Sequence, residues 1–175
     1  MEYFVHGRDR PGSGDLKVRL TEEHWAFMDG YADALIARGP TLTEDRKEST
    51  GSLHIIDLPD VDAVRAFAYE EPYYRAGAFQ SVLICRFHNH HPGRTMWDFA
   101  NVVEGYGRYL VRTEDASRPL TSDHLIVYGD LLSLDSETHL GRAALVEAPD
   151  RSAAAVLLDS TGAEVHPWQF GGRPS

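Results

Sequence analysis

Residues 33–63, DALIARGPTLTEDRKESTGSLHIIDLPDVDA, match residues 123–153, DHLIVYGDLLSLDSETHLGRAALVEAPDRSA, without a gap at an offset of 90. Ten of the 31 positions are identical: Asp33, Leu35, Ile36, Gly39, Leu42, Asp45, Gly51, Pro59, Asp60 and Ala63 meet Asp123, Leu125, Ile126, Gly129, Leu132, Asp135, Gly141, Pro149, Asp150 and Ala153. Common turn chemistry accounts for some of these, because Gly, Pro and Asp recur wherever geometry restricts the choice. An ungapped register across a helix end, two strands and a helix start exceeds turn preference, so a duplicated unit is the expectation.

Working outward, the first copy reads as one complete unit. Tyr3-Phe4-Val5 opens a strand, and Gly7 to Gly14 carries loop punctuation. Thr21 is placed as an N-cap, with Trp25, Met28, Ala32 and Leu35 at helical spacing and Gly39-Pro40 as the stop. A weaker strand follows over Leu42 to Lys47, then an apolar strand over Leu53 to Leu58. Asp60 caps a second helix carrying Val61, Val64, Phe67 and Ala68, which Pro72 ends, and Phe79 to Phe87 is a further strand. The order β-α-β-β-α-β is that of a ferredoxin-like unit. The second copy has about half the length available before its Gly129, so its first helix is expected to be short or displaced to Met96 through Val103. His88 to Arg94 reads as a linker broken at Pro92-Gly93. The predicted architecture is α+β: two fused ferredoxin-like units, residues 1–87 and 108–175, joined by residues 88–107 and closed into a pseudo-dimeric barrel.

The chain has 175 residues, and 27 acidic against 17 basic side chains give a formal charge of −10. Nucleic acid and anionic membrane surfaces are therefore poor partners, since both are held by clustered Lys and Arg. A single cysteine, Cys85, cannot pair within the chain and alternates with apolar neighbours as an inert core residue. No basic start followed by an apolar block opens the chain and no run approaches a membrane span, so the expectation is a cytoplasmic protein.

Four separated motifs carry a resemblance over about residues 3 to 87: His24-Trp25-Ala26-Phe27, Arg38-Gly39-Pro40, Gly51-Ser52-Leu53, and the run from Glu71-Pro72-Tyr73-Tyr74-Arg75 to Val82. In these the chain resembles the YCII-related family of dimeric α+β barrel proteins. The tail Val165 to Arg173 is similar to the terminal strand of such units, which makes the second half a degenerate relative. Thr21-Glu22 stand where the family has Arg-Pro, and Glu71-Pro72 replaces its usual Asp-Pro. The resemblance implies sheet-on-sheet barrel closure, here within one chain. It also implies small-molecule chemistry of the kind seen in a dehydrochlorinase of a hydroxylated aromatic ring, in lactone isomerases and in cofactor-free monooxygenases.

His24 occupies the family's histidine position, and imidazole is the side chain able to hold or give a proton near neutral pH. Glu114 stands at that offset in the second copy. Asp33, nine residues on, would lie about 900° around the predicted helix and face away from His24, whereas Glu71 comes from a different element and can reach the same cleft. Tyr73, Tyr74 and Arg75 are candidate substrate-binding residues, with Arg8 and Arg10 as weaker ones on a lid. The competing assignments are a surface histidine, an exposed helix-end glutamate and packing tyrosines. His88-Asn89-His90-His91 suggests metal, but a solvated linker is favoured, so no metal site is expected. Gly105-Tyr106-Gly107 lacks the later glycine of a dinucleotide loop, and no nucleophile elbow occurs. The expected function is a cofactor-independent acid–base enzyme of lyase or isomerase type acting on a small cyclic or aromatic metabolite, with His24 as base and Glu71 orienting it. The alternatives are a non-catalytic small-molecule-binding or accessory protein and a cofactor-free monooxygenase, and a homodimer is left open.

Overall fold

The computed structural model describes residues 1–114, 120–158 and 162–174. The first half runs β1 (Glu2–Asp9), α1 (Gly14–Arg19), α2 (Thr21–Asp29), β2 (Leu35–Leu42), β3 (Ser49–Asp57), α3 (Val61–Glu70), α4 (Pro72–Arg75) and β4 (Phe79–Asn89). The second runs β5 (Gly107–Thr113), β6 (Leu125–Leu132), β7 (His139–Ala148), α5 (Arg151–Leu157) and β8 (Glu164–Trp168). The eight strands close into one antiparallel barrel in the order β1-β3-β2-β8-β5-β7-β6-β4. Within each half the outer-to-outer order is the same, β4-β1-β3-β2 and β8-β5-β7-β6, which is the ferredoxin-like arrangement used twice. The expected α+β pseudo-dimeric barrel is the fold observed.

The offset of 90 holds at the level of backbone detail. Asp60 and Asp150 cap α3 and α5, accepting the amides of Ala63 and Ala153, each at 2.8 Å. In the β2–β3 and β6–β7 hairpins, Arg46 and Ser136 both take positive φ, 61° and 64°. The strand irregularities between Leu35 and Ala37 and between Thr41 and Leu42 recur between Leu125 and Val127 and between Leu131 and Leu132.

Three cores follow from this closure. Phe4, Leu53, Ile55 and Phe87 from one half meet Leu110, Ile126, Leu145 and Trp168 from the other inside the barrel. Tyr3, Met28, Ile56, Val64 and Phe67 pack beneath α2 and α3, and Val111, Tyr128, Val146 and Leu158 form the counterpart beneath α5. Each such large apolar side chain contributes roughly 1.5–3 kcal/mol on burial. The seams are narrow. β2 meets β8 only at Thr41↔Trp168, and the Arg46 guanidinium reinforces that seam by donating to the carbonyls of Trp168 (3.1 Å) and Arg108 (2.8 Å). The β4–β6 seam pairs Arg86 to Asn89 with Leu132 to Gly129.

Several local expectations are corrected. The helix starting at Thr21 stops at Asp29, and Leu35–Leu42 is a strand containing Gly39 and Pro40. β2 is buried almost throughout because the barrel interior covers one face and helices the other, so it lacks the alternation that marks a half-exposed strand. Residues 43–48 are then the hairpin turn and not a strand. Thr21 is the first residue of α2 rather than its cap, and its hydroxyl donates to the Lys17 carbonyl at 3.0 Å. Pro72 starts the short helix α4 instead of merely ending α3. β1 extends to Asp9, so Arg8 is a strand residue. Met96 to Val103 is no helix beyond a single tight turn at Met96–Asp98, because Glu147 Oε1 accepts the amides of Val102 (3.0 Å) and Val103 (3.2 Å) that a helix would have used. No helix lies between β5 and β6 among the described residues. His88 and Asn89 belong to β4 rather than to a linker. No helix among the described residues is long and apolar enough to cross a membrane.

Candidate functional site

α1 and α2 lie over the outer face of β2 and β3, and a cleft of about 910 Å³ opens between them and the sheet. Side chains reach it by strand parity. Ala37 faces the barrel core, so Arg38 faces outward, and its register partner His54 on β3 lies on the same face. His54, Arg38, His24 and Tyr73 all line the cleft.

His24, on the cleft wall, meets Glu71, which stands behind it and does not itself line the cleft. His24 Nδ1 lies 2.5 Å from Glu71 Oε1, with both side chains buried. Glu71 arrives in position because it is the N-cap of α4, where its other oxygen accepts the Tyr74 amide at 3.1 Å. A carboxylate anchored at one oxygen and bonded at the other has little rotational freedom left, so it fixes the imidazole plane. Tyr73 completes the clamp, its ring stacked on that of His24 at 4.2 Å with an interplanar angle of 8°. Nδ1 is thereby committed to Glu71, and Nε2 makes no hydrogen bond to the chain among the described residues.

His54 lies 5.9 Å from His24, ring to ring, and is edge-on to Phe67 at 5.4 Å. Burial, followed by the charges of His24 and Arg38, holds its pKa well below the ordinary histidine value, so it is a neutral wall residue. Lys17 is the second buried cation of the cleft. Its ammonium meets both Asp9 oxygens (2.9 and 3.1 Å), Ser49 Oγ (2.8 Å) and Ser52 Oγ (3.1 Å), which exhausts its donors. Burial pulls its pKa down, and Asp9 acts against that. The second half contributes Gln169 to Gly172, which cross over β2 and form a wall of the cleft. Gly171 N donates to the Arg38 carbonyl at 3.0 Å, and Arg173 ties the strap to α2 through Asp29 (2.9 Å) and Glu22 (2.7 Å).

The residues singled out in the sequence thus have different placements. His24, Glu71 and Tyr73 are together. Tyr74 is turned outward against Tyr69 at 4.9 Å and, with Arg75, does not line the cleft, since successive residues of a helix point about 100° apart. Arg10 borders the cleft. Arg8 shares the face of Phe4 and His6, toward the barrel interior, and pairs with Glu164 of β8. Asp33 lies in a turn after α2, outside the cleft. His90 pairs with Asp130 at 3.0 Å, and among the described residues no group of three or more His, Cys, Asp or Glu side chains has metal-binding geometry. Cys85 is buried, and burial pushes its thiol up to about 11. Arg38 and the Gln169–Gly172 strap stand in segments that resemble the family but were not expected at the site, and His54 was not singled out. A polar His54 inside the apolar run Leu53 to Ile56 was the signal available for one of them.

No curated protein matches the chain in sequence. Among solved structures, 5-chloro-2-hydroxyhydroquinone dehydrochlorinase from Burkholderia phenoliruptrix AC1100, in complex with 2,5-dihydroxybenzoquinone, is 29% identical, over 49% of this chain and 92% of that one, with a TM-score of 0.47. A protein from Lactobacillus acidophilus NCFM, described only as a proposed monooxygenase, matches 98% of this chain and 96% of its own at 5% identity and a TM-score of 0.51, which is a likeness of fold. The model of the YCII-related domain matches residues 1–88, half of the sequence and the half that carries His24 and Glu71, and through it the chain belongs to the YCII-related family.

Proposed function

We propose that the cleft beneath α1 and α2 is an active site in which His24 moves a proton on a small cyclic or aromatic metabolite, in a lyase or isomerase step. The observation that carries this reading is the buried 2.5 Å contact of His24 Nδ1 with Glu71 Oε1, on an imidazole whose other nitrogen bonds to none of the described residues and whose ring borders the cleft. A general base needs one nitrogen held and one presented, and its holder must accept a hydrogen bond from the N–H on the far side. Glu71 accepts from Nδ1–H, and Nε2 takes a proton from a ring hydroxyl or from a carbon beside a carbonyl. The electron pair released enters the ring. In a lyase step it expels a leaving group with its bonding pair, and in an isomerase step the proton returns from Nε2 to another carbon. The imidazolium formed in between is stabilised by the Glu71 carboxylate. The step asks only for this pair. Trp25, Tyr73 and Phe170 give the cleft the aromatic walls that a flat ring stacks on.

We further infer that residues 1–87 and 108–175 are two copies of one unit joined by residues 88–107, on the strength of the shared offset in strands, caps and bulges. The second copy supplies barrel surface and the strap and has Glu114 at the offset of His24; its own histidine–glutamate contact, His124 Nδ1 to Glu147 Oε1 at 2.8 Å, stands at a different offset and lines no part of the cleft. The test is turnover of a panel of phenolic, quinol and lactone compounds by the wild type and by His24→Gln. A loss of roughly 10²-fold or more in kcat with an unchanged circular dichroism spectrum is expected. Undiminished turnover by His24→Gln overturns the assignment.

A further inference from the structure

Two cations are buried in the walls of the cleft, and only one of them is used. Lys17 is saturated by Asp9, Ser49 and Ser52. Arg38 is 8% exposed, and among the described residues no carboxylate, carbonyl or hydroxyl accepts from its guanidinium. Its backbone is fully engaged, with the amide on Met96 Sδ at 3.3 Å and the carbonyl accepting from Gly171 at 3.0 Å, so the side chain cannot be withdrawn by a local shift of β2. Asp29, the carboxylate whose charge acts on it most, is already held by Arg173 at 2.9 and 3.1 Å. Burial accordingly lowers the guanidinium pKa, with Asp29 opposing. A guanidinium carries five donors in a planar fork suited to an oxyanion, and here those donors face the cleft with no acceptor among the described residues.

Its position gives that use. Arg38 and His54 are register partners on one face, and His54 is the ring 5.9 Å from His24, so the row Arg38–His54–His24 spans one wall of the cleft. A ring lying along that wall puts one substituent on the guanidinium and another edge toward the imidazole.

We propose that Arg38 is the anion-binding residue of this cleft and that the substrate is a ring compound carrying an anionic oxygen, either a ring carboxylate or a phenolate. The assignment rests on the reading of the cleft as the substrate site. Arg38 then also fixes which ring position His24 meets, because the distance between the two groups is set by β2, β3 and α2 rather than by the ligand. The anion it holds is the one the substrate brings, which explains why the described residues supply none.

The test is equilibrium binding, by calorimetry, of two ionised probes and their neutral counterparts: benzoate against benzamide, and 4-nitrophenolate against 4-nitroanisole. The wild type is expected to prefer at least one anion over its counterpart by about tenfold or more, the size of one charge-assisted contact. The arm that shows the preference tells carboxylate from phenolate. Arg38→Gln is expected to lose the preference to within about twofold, and Arg38→Lys to keep part of it. His24→Gln is expected to retain the preference, so a failure of His24 in turnover and a failure of Arg38 in binding are separate results. Arg38→Gln should also melt no lower than the wild type, because no partner is left unpaired by the change. No preference for either anion in the wild type, or an undiminished preference in Arg38→Gln, overturns the proposal.

Discussion

Glu71 holds His24 from a helix cap: one carboxylate oxygen lies 2.5 Å from the imidazole Nδ1 while the other accepts the Tyr74 amide at 3.1 Å. The two roles separate by mutation. Glu71→Gln keeps oxygen and shape but places a donor where an acceptor was needed. It is expected to cost about 1 kcal/mol of stability and roughly 10²-fold or more in kcat. Glu71→Ala removes the cap, about 1 kcal/mol, and strands the imidazole N–H, about 1–3 kcal/mol, so urea denaturation should show a loss of roughly 2–4 kcal/mol. Equal stability losses in the two variants would contradict the double role.

Gly39 allows the second half to reach the cleft. A Cβ there would lie 1.9 Å from the Gln169 carbonyl oxygen and 2.9 Å from Gly171 N. Neither neighbour can yield alone, since both belong to the strap that Arg173 pins to α2. Gly39→Ala is expected to lose at least ~2 kcal/mol and to release residues 169–172, a change that hydrogen exchange of the Gly171 amide reads directly.

Acid should weaken the barrel through its buried histidines and Glu164. Inside the barrel, His6 lies edge-on to His166 at 5.5 Å, and burial, followed by the charges of His166, Arg8 and Arg112, brings its pKa down to about 3. The unfolded chain binds this proton below about pH 6.5 and the folded one does not, so the contribution is complete above that value and is lost as pH falls toward 3. His54 acts in the same direction. Glu164 is raised by burial but carried down to about 2 by the hydrogen bond from His166 and the charges of Arg112 and Arg8, so its contribution is present above about pH 4.5 and lost below. The expected slope from His6 alone approaches 1.4 kcal/mol per pH unit. Melting from about pH 7 to about pH 4 should show it, and His6→Gln should flatten it.

The parts of this account that sequence made legible are those set by local chemistry. Asp60 is read as a cap because a carboxylate at that position accepts the amide three residues on, and Asp150, its match at the offset of 90, proves to do the same. His24 and Glu71 stand out as a proton-transfer side chain and a carboxylate beside a proline, and their meeting follows once α2 and α3 are laid on one sheet face. Illegible parts depend on closure. β2 looked like the end of a helix because the barrel buries both its faces, and that burial exists only after the second half arrives. Arg8 was placed with the cleft, but β1 runs through it and strand parity turns it to the barrel interior, where it meets Glu164 more than 150 residues away. Tyr73 and Tyr74 are indistinguishable in composition and differ by one step of helix rotation. Arg38 stands in one of the four motifs, but nothing local marks it as a binding residue; what does is the absence of a partner for its guanidinium among the described residues.

The central claim is that His24 exchanges a proton with a ring in the cleft. Deuterium exchange into the carbon beside a hydroxyl or carbonyl, followed by proton NMR in heavy water over the phenolic and lactone panel, reads that transfer without requiring the complete reaction. Exchange accelerated by the wild type and slowed roughly 10²-fold or more in His24→Gln is the predicted result. Exchange at the same rate in both proteins would contradict it.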